Sequence, residues 1–154
     1  MATPFPFTAG QVLTAAQMNA IGEWIDYTPT WTNLTVGNAV QDFRYIKVNK
    51  FICVVGVITL GSTSSITNTL SFTLPQTAAT YASANERFGV GIFEDTGTDA
   101  YDAWVLAGTS TTTARLRVPV ASGTYINSTS VSSTAPFTWT TGDRISVNFI
   151  YEAA

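Results

Sequence analysis

The feature that most limits the fold of this chain is a period-two apolar pattern, repeated in short runs and cut by turn residues. It is cleanest near the end, where Ile145, Val147, Phe149 and Tyr151 alternate with partners such as Ser146 and Asn148. Alternation of this kind marks a strand with one buried face. Leu70, Phe72 and Leu74 repeat it before Pro75, and Leu116, Val118 and Val120 repeat it around Pro119, whose missing N–H predicts an edge position. Phe43–Val48 and Phe51–Leu60 flank Asn49-Lys50 as a hairpin, and Tyr101–Leu106 follows a loop over Glu94–Asp99. Phe88, Val90 and Ile92 alternate with Gly89 and Gly91, so one face of that strand is bare and suits close approach of a backbone or an aromatic ring. With a further strand in 124–131, about eight short strands are expected. The expected fold is all-β, a jelly-roll-like antiparallel sandwich.

The composition agrees with strands. Thr and Ser make up about a quarter of the 154 residues, and only 11% are charged, against roughly 25% in an average soluble domain. Threonine fits a pleated, half-buried surface. The net charge of −3 and the scattering of the seven Lys and Arg residues argue against a nucleic-acid partner. Met1–Pro6 has neither a basic nor an apolar leader region, so no signal peptide is expected. The longest apolar run is too short to cross a bilayer, so no membrane partner is expected either. Cys53, the single cysteine, lies in that run and reads as a small buried hydrophobe. A surface so poor in charge loses little when buried against a copy of itself, which favours oligomerisation.

Ahead of the strands stands one helix signal. Thr14 is placed as N-cap with Gln17 at N3, the spacing of a capping box, and Leu13 and Met18 are placed for a hydrophobic staple. Met18, Ile21 and Ile25 recur at helical spacing with Trp24 beside them, which predicts a helix of about eleven residues, marginal by itself in water. Its apolar face needs cover from the β domain, from other copies or from a larger assembly. Pro29 sets a boundary near residue 26, so 1–26 reads as an N-terminal anchor segment and 27–154 as a β-sandwich knob.

No reactive constellation stands out. The chain has no histidine, which removes the commonest general base and metal ligand, and every Ser-His or Cys-His pair. No catalytic residue and no cofactor are assigned, and an enzyme is not expected. Glu86, Glu94, Asp95, Asp99, Asp102 and Asp143 are the carboxylates that a glycosidase pair would need, but sequence spacing places no two of them across a cleft. The cluster Glu94, Asp95, Asp99 and Asp102 lacks the alternation of a calcium loop and reads as turn formers, so no metal is assigned. Trp31, Trp104 and Trp139 are candidate glycan contacts, weighed against core or interface roles. Asn33-Leu34-Thr35 and Asn127-Ser128-Thr129 match a glycosylation sequon, relevant only in a secretory pathway.

The opening Phe7-Thr8-Ala9-Gly10-Gln11-Val12-Leu13-Thr14-Ala15-Ala16-Gln17-Met18-Asn19-Ala20-Ile21 resembles the amino-terminal segment of small tailed-bacteriophage virion proteins of the minor tail, tail-fibre and capsid decoration (head fibre) types. Tyr27-Thr28-Pro29-Thr30-Trp31-Thr32, the strand from Arg44 to Val48, and Pro136-Phe137-Thr138-Trp139, Gly142-Asp143 and Tyr151-Glu152 are similar to the same group. Between these anchors only the pattern matches. The resemblance implies a homotrimeric β knob, akin to tumour-necrosis-factor-like jelly rolls, made in the host cytoplasm and carried on the virion by its N-terminal segment. Phe5, Phe7, Val12, Leu13, Met18, Ile21, Trp24 and Ile25 are the expected anchor or oligomer contacts, with capsid or tail proteins as partners. The alternative is a carbohydrate-binding module that recognises a host surface glycan.

Overall fold

The computed structural model describes residues 9–81, 83 and 85–154; Phe5 and Phe7 lie outside them. One short helix, α1 (Ala15–Asn19), precedes ten strands: β1 (Ile25–Asp26), β2 (Trp31–Thr35), β3 (Val40–Val48), β4 (Phe51–Thr59), β5 (Ser65–Thr73), β6 (Arg87–Asp95), β7 (Asp99–Ala107), β8 (Thr113–Ser122), β9 (Tyr125–Ser130) and β10 (Arg144–Glu152). They form one antiparallel sheet in the order β1-β3-β4-β10-β6-β7-β8-β5-β2, with β9 paired to β8. The two strands beyond the expected eight are β1 and β2.

The sheet curls on itself, and that curl makes the sandwich-like core. β2 and β5 fold back over β3 and β10: Trp31 meets Phe43 edge-on at 6.0 Å between ring centroids, and Phe72 lies 6.3 Å from Phe43 and 5.8 Å from Phe149. Trp31 Nε1 donates to Gln41 Oε1 at 2.7 Å, which ties β2 across the gap to β3. Ile145, Val147, Phe149 and Tyr151 all face this core, as their alternation requires. Tyr27 packs edge-on against Phe43 and Tyr45. Its hydroxyl is buried without a hydrogen-bond partner among the described residues, and that burial, with Tyr151 as a second cause, pushes the phenol pKa well above its ordinary value.

The helix start is as the sequence reads, and its end is not. Thr14 Oγ1 accepts from Gln17 N at 3.2 Å while Gln17 Oε1 accepts from Thr14 N at 3.0 Å, a complete capping box. The helix stops after five residues rather than about eleven. Gly22 takes φ +79°, a left-handed conformation open to glycine and costly for most residues. The chain then leaves the helical path, and Ile25 pairs with Tyr45 in β1 against β3. Strand pairing has overridden a helical spacing that was fortuitous beyond Ala20.

β6 corrects the reading of its two faces. A register shift between Arg87 and Gly89 bulges the strand, so Phe88 stays buried while Gly89, Gly91 and Phe93 take the inner face. Val90 and Ile92 therefore point outward. The bare face does receive a close neighbour: a Cβ on Gly89 would collide with Asn148 O and Phe149 of β10. Cys53 is half-buried on the outer side of β4, not in the core. Pro119 sits where β8 has lost β7, whose pairing ends at Trp104–Arg117, and keeps only β9.

Candidate functional site

The N-terminal strip is largely uncovered. Val12, Met18, Trp24 and Ile25 are exposed, Leu13 and Ile21 are half-buried, and no residue of α1 is buried. Trp24 holds the Arg44 guanidinium 5.2 Å from its ring centroid, which fixes the indole beside the outer face of β3. A Cβ on Gly22 would stand 3.9 Å from Ile46 Cγ2, so the link from α1 to β1 runs along that same face.

The outer face of β4, β10 and β6 continues this apolar surface, and sequence reasoning missed it. Phe51, Val90, Ile92 and Ile150 are 49–55% exposed, and half-buried Cys53, Val55 and Val57 lie among them. The register sets Ile150 beside Cys53, Asn148 between Val55 and Val90, and Ser146 between Val57 and Ile92. Along β10 charges appear at its two ends, as Lys50–Glu152 at 4.0 Å and Arg144–Glu94 at 3.4 Å, and the flanking strands add Asp42 and Arg44 of β3, opposite Val57 and Val55, and Asp102 of β7, opposite Ile92. The face therefore presents an apolar centre inside a charged rim. The bulge in β6, which turned Val90 and Ile92 outward, is the signal that sequence alone did not show.

The candidate glycan tryptophans are not brought together. Trp31 is 8% exposed and its indole N–H is taken by Gln41. Trp139 packs on Phe137 at 4.4 Å and Phe93 at 5.3 Å, and donates to Ser132 O at 3.0 Å. Both serve the core. Trp104 alone opens on a groove, of about 410 Å³, which it lines with Arg87, Leu106 and Asn85. Arg117 of β8, with Asn127 and Ser128 of β9, forms the remainder.

Of the carboxylates, Asp143 is fully buried and held by donors at both oxygens: Thr96 N at 3.1 Å to Oδ1, and Thr140 N at 2.6 Å to Oδ2. Glu94 pairs with Arg144, and Asp99 Oδ1 accepts from Ala100 N at 2.8 Å, as a turn former does. Among the described residues no three His, Cys, Asp or Glu side chains gather closely enough to hold a metal ion, and no helix is long and apolar enough to cross a membrane. Comparison with known proteins finds no matching family model, no matching curated protein and no matching solved structure.

Proposed function

We propose that this chain is a structural protein of a tailed-bacteriophage virion, a β-sandwich knob that associates as a trimer and docks on the particle through residues 1–26. Capsid decoration or head fibre, and tail fibre or minor tail protein, are the two places such a knob would occupy. No catalytic role is assigned to it. The observation that carries the reading is the uncovered strip of Val12, Met18, Trp24 and Ile25, continuous past Ile46 and Cys53 with the apolar centre of a sheet face. The apolar centre gives an oppositely charged partner nothing to grip. Further copies of the same chain can cover that centre while the charged residues stay at the rim, as in a subunit interface. Three weak docking strips on one rigid trimer then gain avidity without any strong single contact.

Sedimentation equilibrium of the unaltered chain at micromolar concentration tests the association. The expected particle is three times the chain mass of 16.5 kDa. Ile92→Glu places a carboxylate in the apolar centre and is expected to weaken association at least about tenfold. Loss of association in Trp24→Glu but not in Ile92→Glu would move the contact to the N-terminal strip. A monomeric unaltered chain would contradict the proposal.

A further inference from the structure

Three of the seven basic residues of this acidic chain meet on one outward patch: Arg87 and Arg117 line a groove with Trp104, and Arg115 stands beside it, opposite Leu106. Trp104 of β7 stands opposite Arg117 of β8, and Leu106 opposite Arg115, so sheet register rather than sequence proximity assembles the cluster. Arg87 lies over the Trp104 ring with its Cζ 4.1 Å from the centroid, a cation–π contact that restrains the guanidinium beside the groove. Arg117 Nη2 donates to Ser128 O, and Arg115 Nη2 to Asn85 Oδ1, both at 2.6 Å. Burial first and the neighbouring Arg117 charge second lower the Arg115 pKa from its usual value. Neither Arg87 nor Arg117 is ion-paired among the described residues, and Arg117 Nε is buried without an acceptor. Asp102 shares the outward row of β7, but it lies opposite Ile92 and farther than Trp104 from Arg115.

We infer that the Arg87–Trp104–Arg117 groove binds a carboxylated saccharide. A guanidinium fork matches a carboxylate through two parallel hydrogen bonds. Trp104 and Leu106 give the groove an apolar wall for the C–H face of a sugar ring. The Asn127 amide and the Ser128 hydroxyl supply the donor and acceptor pairs that sugar hydroxyls require. A groove of about 410 Å³ suits one or two sugar residues rather than a long polymer. An extended polyanion such as a nucleic acid is disfavoured, because three cations neutralise few phosphates and the chain carries a net charge of −3. The inference stands apart from the virion reading, and it gives the carbohydrate-binding alternative a location and a charge.

The test is an NMR titration of the full chain with tetragalacturonate, reading the Trp104 indole N–H and the Arg87 Nε–H. Saturable shifts at both are expected at millimolar concentration, with none from the fully methyl-esterified tetramer. Arg87→Gln, at an exposed position, is expected to weaken binding at least about tenfold while leaving the β10 amide signals in place. Arg144→Gln, at the far end of the sheet, is expected to bind as the unaltered chain does. Absence of saturable shifts up to about 20 mM would overturn the inference. So would equal binding by the ester, or unchanged affinity in Arg87→Gln. Inorganic phosphate or a tetraglutamate peptide binding as tightly as the saccharide would overturn it too, by reducing the groove to a general anion site. The titration reads only the groove, so its failure leaves the association and particle measurements intact.

Discussion

Phe72→Ala is expected to lower the stability of the folded chain by about 4 kcal/mol, the range for emptying a large buried aromatic site. Phe72 is fully buried in β5 and touches both layers of the curled sheet. Its ring lies 5.1 Å from Trp31 on its own side, and 6.3 Å and 5.8 Å from Phe43 and Phe149 on the other. The cavity left by alanine is walled by three rings that are themselves held by pairing in β2, β3 and β10, so collapse is limited and the cost stays high. In a chain of this length the loss corresponds to a melting temperature lower by roughly 10 °C. Urea unfolding followed by tryptophan fluorescence checks it. Phe72→Leu, which keeps most of the volume, is expected to lose less than half as much.

Asp143→Ala is expected to cost about 3 kcal/mol, because hydrogen bonds to a charged acceptor are each worth more than neutral ones. Asp143 accepts from Thr96 N, from Thr140 N and, at 3.3 Å, from Thr140 Oγ1. The first of these ties the β6–β7 hairpin to the turn that opens β10; the others close that turn. Thr96 Oγ1 adds a bond to Gly142 O at 2.6 Å, so the two loops form one unit. Asp143→Asn separates acceptor chemistry from volume. Both carboxylate oxygens are in use, and an amide turns one of them into a donor facing a donor. Asparagine is therefore expected to restore little of the loss. Recovery to the stability of the unaltered chain would show that packing, not hydrogen bonding, is what Asp143 supplies.

The strands were legible because each carries its own record of a buried face. Ile145 to Tyr151 shows the alternation without help from any other segment, and Thr14 with Gln17 shows a helix start within four residues. What depended on distant partners was not legible. The end of α1 is decided by Gly22 and by pairing of Ile25 with Tyr45, twenty residues away, against a spacing that looks helical. The outer apolar face depends on a bulge at Arg87–Gly89, which shifts Val90 and Ile92 from the face their alternation with Phe88 suggests. The Trp104 groove depends on sheet order, since Arg87, Trp104, Arg117 and Asn127 lie on four different strands. One local sign of it was present: Arg115 and Arg117 alternate with Leu116 and Val118, which puts both arginines on the face opposite the core.

Together these features describe a β body with two kinds of open surface, an apolar strip continuous with the apolar centre of a sheet face, and a basic groove. The strip and the face carry the structural reading, and the groove stands apart from it. The most direct measurement of the virion proposal is electron cryomicroscopy of particles purified from cells that produce this chain. The expected result is density for the β body in groups of three on the particle surface, with α1 and β1 at the end nearest the particle. Virions that lack the chain, or that hold it with the N-terminal strip pointing away from the particle, would contradict the proposal.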